Sequence, residues 1–173
     1  MMNFNIQQSV CGVRNFGMGM LLCLVIFGTV ACSSPSSSSD CPYKRATDLA
    51  TIVRLIEAEA EAANREDLSI IRAIFAPDAY IRDEEDGSEW SNPIAHYSEL
   101  FATSEFTNAV NFDIQPAGQG ITEDTAWFIS SNSGIWTPNG GAPQPYRNVA
   151  VKDSWTLRRN EARCWVITEY RYH

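Results

Sequence analysis

Two aspartates of this 173-residue sequence occur where a carboxylate is uncommon, inside stretches patterned like the inner face of a strand. Ala79, Ile81 and Asp83 alternate with Tyr80 and Arg82, so the side chains of the first three are expected on one face. Asp153 belongs to a second alternating stretch, whose other members are Val149, Val151, Trp155 and Leu157. Carboxylates crowded into an apolar pocket raise one another's pKa, which suits them to proton transfer. The pattern therefore predicts a catalytic pair, Asp83 and Asp153.

Two other roles for these aspartates remain open at the level of sequence. Each could accept hydrogen bonds from backbone amides, or pair with a nearby base such as Arg82, Lys152 or Arg171. Each could also help to bind a ligand that is not turned over. A structural role, a binding role and a catalytic role are thus three competing hypotheses for Asp83 and Asp153.

Three helices followed by strands must position these carboxylates. Helical spacing of apolar residues predicts a first helix from Thr47 or Asp48 to about Asn64. Asp67 is placed to cap a second helix and Asn92, before a proline, to cap a third. Alternating stretches then run to the end of the chain. Helices first and strands afterwards predict an α+β fold with one antiparallel sheet.

Other pocket candidates come from the first helix and from the aromatic residues. Glu59 falls on the edge of the first helix's apolar stripe, about 70° from its centre by the 3.6-residue period. The aromatic candidates for the pocket lining are Trp90, Tyr97, Phe101, Trp127 and Trp155. Each of them taken singly is more typical of an ordinary core. The Pro- and Gly-rich segment 136–146 is predicted to be a loop, either a lid or a hairpin connection.

The first 40 residues are predicted to direct export. Residues 18–30 are apolar but too few to span a bilayer, which is typical of a signal peptide. A small residue precedes Cys32, and this arrangement resembles a bacterial lipoprotein signal, which implies cleavage before Cys32 and a lipid on its thiol. An ordinary secretory signal and a retained anchor are the alternatives.

The predicted organisation is a signal peptide over residues 1–31, a tether over 32–45 and a folded domain over 46–173. The tether begins with lipidated Cys32 and is rich in serine, so it cannot form a core. The predicted location is the bacterial cell envelope, with the domain facing the periplasm and attached to the membrane through Cys32.

The charge of the chain limits the classes of partner that it is expected to bind. All 21 acidic residues but only 12 of the 13 basic ones follow Cys32, which argues against binding to nucleic acid or an anionic membrane surface.

Removal of the signal and acylation of Cys32 leave Cys41 and Cys164, which are a disulfide candidate in an oxidising compartment. Two unpaired thiols are the alternative. Because the sequence has no Cys/His cluster, we expect no metal and no cofactor.

Several short segments between Ala46 and Tyr172 occur together in a characteristic order. They are 64–75 (NREDLSIIRAIF), 76–79 (APDA), 87–90 (GSEW), 124–126 (DTA), 154–158 (SWTLR) and 165–167 (WVI). Their order and spacing resemble the nuclear transport factor 2-like superfamily, particularly its SnoaL-like branch. The resemblance implies a cone-shaped, cystatin-like roll, in which three N-terminal helices cover a strongly curved antiparallel sheet and leave an apolar pocket.

Members of this superfamily include small-molecule binders, isomerases, dehydratases and cyclases, so the resemblance implies no single activity. Asp83 falls where its ketosteroid isomerases keep a general base. Asp153 falls where they keep a buried acid that helps to hold the enolate oxygen. The oxyanion-hole tyrosine of their first helix is replaced by Glu59, and a carboxyl group can donate in its place only when protonated.

Three hypotheses about function follow. The first is a cell-envelope lipoprotein whose pocket binds a small apolar molecule. The second is an isomerase or lyase in which Asp83 abstracts a proton and Asp153 donates to an oxygen. The third is a dimeric interaction module, because members of the superfamily often dimerise through the outer face of the sheet.

Overall fold

The helices come first along the chain and the long strands follow. The computed structural model describes residues 41–173. Its helices are α1 (Asp48–Arg65), α2 (Leu68–Ile74) and α3 (Pro93–Thr103). Its strands are β1 (Phe75–Asp83), β2 (Glu89–Trp90), β3 (Ser104–Ile121), β4 (Thr125–Pro138), β5 (Gln144–Arg159) and β6 (Trp165–Tyr172).

Each helix begins at a polar residue that satisfies a free backbone amide. The side chains of Thr47, Asp67 and Asn92 accept hydrogen bonds from the amides at the start of α1, α2 and α3 respectively. Proline occupies the first turn of α3, where its missing N–H costs nothing. The predicted helix starts are therefore confirmed.

The six strands form one curved sheet in the order β2-β1-β6-β5-β4-β3. Neighbouring strands are antiparallel except β1 and β6, which run parallel because the chain leaves and re-enters the sheet between them. The helices cover one face, and α1 lies against β3 and β6. The predicted α+β fold class is confirmed, with one parallel pair in a sheet predicted to be antiparallel.

The core lies between the helices and the covered face of the sheet. Helix α1 contributes Ile52, Leu55 and Ile56, all fully buried, and the sheet contributes residues from β1, β4, β5 and β6. Burial of these large aliphatic and aromatic side chains is the main favourable term that holds the helices on the sheet. Ile81 in this core is followed by Asp83 at the end of β1, so the core fixes the position of that aspartate.

Strand β5 departs from the predicted alternation before Asp153. Ser130 of β4 pairs with Asp153, whereas Asn132, only two residues on, pairs with Asn148. The extra residues on β5 form a bulge, and a bulge turns side chains away from the face that simple alternation assigns. The residues that it turns outward are Val149, 44% exposed, and Val151, 50% exposed. The prediction that these valines share the inner face was wrong, whereas it holds for the rest of the stripe.

The segment 136–146 is mostly strand. Trp136 pairs with Gln144, and the connection between β4 and β5 is confined to residues 139–143. The prediction of a long loop was wrong, because ladder pairing with the neighbouring strand outweighs the turn-forming composition of this segment. Gly140 has a φ of 75°, a conformation that glycine adopts without strain, and it forms the turn.

A disulfide joins Cys41 to Cys164 across a sequence separation of 123, as predicted. It ties the first described residue to the segment before β6. The predicted signal peptide and lipidation site at Cys32 lie outside the described residues. Among residues 41–173, helices that are both long and apolar enough to cross a membrane are absent.

Candidate functional site

A cavity of about 540 Å³ lies between α1, α3 and the covered face of the sheet. Its volume is in the range of small-molecule sites. Small residues on α1 and β3 leave the space open: Ala60, Ala63 and Ala109 all line it. The polar groups of the lining come from α1, α3 and every long strand of the sheet.

The inner part of the cavity wall contains a buried carboxyl group that accepts hydrogen bonds from two side chains. Glu59 of α1 is 9% exposed, and its Oε1 accepts a hydrogen bond of 2.7 Å from the hydroxyl of Tyr97 on α3. Its Oε2 accepts one of 2.9 Å from Nδ2 of Asn111 on β3. Burial raises the pKa of Glu59, and the two hydrogen bonds oppose that rise by stabilising the ionised form. Side chains from α3 and β3 thus converge on one residue of α1.

The second buried carboxyl, Asp153 of β5, is 0% exposed and lies behind the cavity wall. Its Oδ2 accepts hydrogen bonds from Nδ2 of Asn132 and from the hydroxyl of Tyr170, the latter over 3.2 Å. Its Oδ1 has no hydrogen-bond partner among the described residues. Burial raises the pKa of Asp153 to about 7; the Asn132 hydrogen bond opposes that rise, and the charge of Glu59 adds to it. Asn132 and Tyr170 line the cavity, whereas Asp153 itself does not.

Asp83 lies at the mouth of the cavity, where it shares the lining with Glu85. Its Oδ1 accepts hydrogen bonds from the backbone amides of Glu85, at 2.8 Å, and Asp86, at 3.4 Å. These contacts hold the turn after β1, as the structural hypothesis for this aspartate expects. Asp83 pairs with Tyr172 across β1 and β6, and Ser154 pairs with Arg171 across β5 and β6, so one strand lies between the two predicted catalytic residues. Asp83 lines the cavity, whereas Asp153 lies behind its wall.

The three bases considered as partners for the aspartates form ion pairs with other residues. Arg82 pairs with Glu84 and Glu89, Lys152 with Asp113, and Arg171 with Glu84 and Glu169. The buried carboxyl of Asp153 is thus held by neutral donors rather than by a cation, which is why burial dominates its pKa.

Of the six predicted pocket residues, Glu59 and Tyr97 line the cavity and four aromatics do not. Trp155 is fully buried in the core and stacks on Tyr170 with ring centroids 3.8 Å apart. Trp127 alternates with buried neighbours on β4 and so lies on the opposite face of the sheet. The other two pack beside the cavity: Trp90 against His96 and Phe101 against Tyr97.

Several lining residues were not among the candidates. They are Asn111, Asn132, Tyr146, Tyr170 and Tyr172. Asn111 faces inward while its apolar neighbour Val110 is 49% exposed, which reverses the usual assignment of faces on β3. The reversal is stabilised by the Asn111 amide, which donates to the Ile56 carbonyl as well as to Glu59. The sequence did contain a signal for Tyr170 and Tyr172: they are two residues apart on β6, so their side chains point to the same face of the sheet.

His96 of α3 also lines the cavity. It is buried, and burial lowers its pKa to about 4, so the imidazole is neutral at neutral pH. Its ring packs against Trp90 with centroids 4.2 Å apart. Among residues 41–173, clusters of three or more histidine, cysteine or acidic side chains able to hold a metal ion are absent.

Neither the known protein-family models nor the curated proteins match this sequence. Solved structures do match it. A ketosteroid isomerase-like protein from Erwinia carotovora atroseptica is 20% identical, with a TM-score of 0.54, over 69% of this chain and 92% of that one. A nuclear transport factor 2-like superfamily protein from Salmonella enterica is 15% identical, with a TM-score of 0.57, over 70% of this chain and 87% of that one.

A conserved protein from Planctomyces limnophilus is similar to the same extent, at 16% identity and a TM-score of 0.51, over 66% of this chain and 86% of that one. Identities this low show a shared fold and leave activity open. Residues 41–173 thus have the fold of nuclear transport factor 2-like proteins, and their cavity lies beneath the helices that cover the sheet.

Proposed function

We propose that this protein binds a small, largely apolar molecule in the cavity beneath its helices, as an exported, lipid-anchored domain of the bacterial cell envelope. The observation that carries the binding proposal is the cavity of about 540 Å³ with Glu59, Tyr97 and Asn111 converging on its wall. A cavity that is mostly apolar, with a few oriented polar groups, is typical of small-molecule sites.

The disulfide supports the export part of the proposal. Cys41 and Cys164 form a structural bridge of a kind that persists in oxidising compartments and is rare in the cytosol. Its first cysteine, Cys41, directly follows the serine-rich residues 33–40 of the predicted tether. Lipidation at Cys32 and attachment to the envelope membrane belong to the proposal, and they rest on the sequence pattern alone.

A second candidate function is an isomerase or lyase in which Asp83 is the general base. The pKa of about 7 for Asp153 favours it, because a protonated carboxyl can donate to a developing oxyanion. Two observations count against it: Asp83 uses one oxygen to hold its own turn, and Asp153 reaches the cavity only through Asn132 and Tyr170. Binding without turnover is therefore the better-supported function.

The dimeric interaction module remains a prediction that this structure of one chain does not test. The large apolar side chains exposed in residues 41–173 are Leu49, Val110, Val149 and Val151. Leu49 lies on α1, Val110 lies on β3 and lines the cavity, and Val149 and Val151 lie on the β5 bulge.

Filling the cavity tests the binding proposal. Ala63 lines the cavity from α1, so Ala63→Phe removes space without adding charge. Titration of the full chain with the neutral apolar dye N-phenylnaphthylamine should give saturable fluorescence enhancement that Ala63→Phe abolishes. Ala142→Phe is the matched control, because Ala142 is exposed in the β4–β5 connection, and it should bind like the wild type. Equal binding by all three proteins, or by none, would contradict the proposal.

A further inference from the structure

The charges that line the cavity are of one sign. Among residues 41–173, its lining contains three carboxylates, Glu59, Asp83 and Glu85, and neither lysine nor arginine. The histidine in the wall, His96, is kept neutral by burial. His173 at the mouth is the other histidine of the lining.

The apolar part of the lining is largely aromatic. Four tyrosines line the cavity, from α3, β5 and β6: Tyr97, Tyr146, Tyr170 and Tyr172. Burial raises the pKa of each of them, so all four rings are neutral phenols at neutral pH. The faces of such rings carry partial negative charge and attract cations, most strongly where water is excluded. The rings and the carboxylates therefore favour the same sign of ligand charge.

One buried acceptor at the wall also lacks a donor. Asn132 lines the cavity and gives its Nδ2 to Asp153, which fixes the orientation of the amide. Its Oδ1 has no hydrogen-bond partner among the described residues. A buried acceptor left without a donor is costly, so this wall is suited to a ligand that carries N–H groups.

We propose that the cavity selects small organic cations, with a protonated amine on an apolar body, over neutral or anionic molecules of the same shape. The ammonium group lies toward the Glu59 carboxylate, and the apolar body packs on the tyrosine rings. An anion would instead meet three carboxylates without a compensating base. The inference rests on the proposed small-molecule function and adds the charge class of the ligand.

Glu59 is the buried titratable group of the wall that would face the bound cation. Its pKa is raised by burial in the free protein, and a cation beside it would stabilise the ionised form. Cation binding should therefore lower the pKa of Glu59. Asp83, Glu85 and His173 at the mouth, together with neutral His96 and the four tyrosines, complete the titratable groups that face the ligand.

Isothermal titration calorimetry with three matched probes tests the inference: naphthylmethylamine as the cation, naphthylmethanol as the neutral molecule and naphthoate as the anion. The full wild-type chain should bind the amine at least about tenfold more tightly than either of the others. The comparison uses the wild type, so it does not depend on whether any variant folds.

Glu59→Gln should reduce the preference for the amine, since it removes the charge but keeps the side-chain length. Glu161→Gln is its matched control, an exposed acid in the β5–β6 turn, and should keep the wild-type preference. Equal or weaker binding of the amine would overturn the charge inference and leave the binding function intact. Failure of all three probes to bind, with N-phenylnaphthylamine also unbound, would overturn both.

Discussion

The hydroxyl of Tyr97 donates a 2.7 Å hydrogen bond to Oε1 of Glu59, and both side chains are buried. The pair links α3 to α1 at the wall of the cavity. In the resemblance to ketosteroid isomerases, Glu59 replaces a tyrosine of the first helix. The structure places a tyrosine hydroxyl beside that position again, but from a different helix. Here the hydroxyl is committed to a carboxyl group rather than free to face a ligand.

Removing this hydroxyl should destabilise the protein. Tyr97→Phe leaves one oxygen of a buried carboxyl without its donor, which typically costs about 1–3 kcal/mol. Urea denaturation of the wild type and the variant measures the difference in free energy of unfolding. Tyr43→Phe, a partly buried tyrosine at the edge of α1, is the control and should change stability by less than about 0.5 kcal/mol. Equal stability of Tyr97→Phe and wild type would show that the pair contributes nothing.

Asp153 should make the stability of the protein fall as pH rises. Its pKa in the folded state, about 7, lies above its ordinary value of 3.8, so the folded protein binds more protons than the unfolded chain between those values. Stability is therefore lost across that window, by at most on the order of 4 kcal/mol. His96, with its pKa lowered to about 4, acts in the opposite sense over nearly the same range.

The contribution of Asp153 is isolated by comparing the wild type with Asp153→Asn, in which His96 and Glu59 are retained. The free energy of unfolding of the variant should fall less, or rise more, from about pH 4 to about pH 7. Asp78→Asn, at an exposed aspartate of β1, should keep the wild-type pH dependence. If the free energies of unfolding of the wild type and Asp153→Asn changed in parallel with pH, the raised pKa of Asp153 would be contradicted.

Much of the fold could be predicted because the relevant signals are local. Thr47, Asp67 and Asn92 cap helices through contacts within three residues, and short-range patterns of this kind are visible in the sequence. The placement of Asp83 at the end of β1, after inward-facing Ala79, also follows from simple alternation.

The parts that could not be predicted depend on pairing between distant residues. The β5 bulge that exposes Val149 follows from how β4 and β5 are registered, and this is not encoded in either strand alone. Asn111 faces inward because its amide meets Glu59 and the Ile56 carbonyl, more than 50 residues away in sequence. The tryptophans were overvalued as pocket residues, since aromatic character by itself does not tell a core position from a cavity wall.

Loss of the disulfide should lower stability substantially. Cys41 and Cys164 close a loop of more than 100 residues, for which the chain-entropy estimate is about 4–5 kcal/mol. The double variant Cys41→Ala and Cys164→Ala should therefore unfold at a lower temperature than the wild type in thermal scans. Reductant should destabilise the wild type and leave the double variant unchanged. A wild type that is insensitive to reductant under denaturing conditions would contradict the bridge.

Cys32 should be the site of lipid attachment. Metabolic labelling of bacteria with a fatty acid should mark the wild type and should not mark Cys32→Ser. Cys23→Ser is the matched control, because Cys23 lies within the predicted signal peptide, and it should be labelled like the wild type. Labelling of Cys32→Ser at the wild-type level would rule out this anchor.

The central claim is that the cavity beneath the helices is the binding site, and nuclear magnetic resonance tests it most directly. Intermolecular nuclear Overhauser effects from bound N-phenylnaphthylamine report which methyl groups it touches. The account predicts contacts to the methyl groups of Ala60, Ala63 and Ala109, which line the cavity. Contacts confined to the exposed valines of the β5 bulge, Val149 and Val151, would place the molecule on the surface and contradict the account.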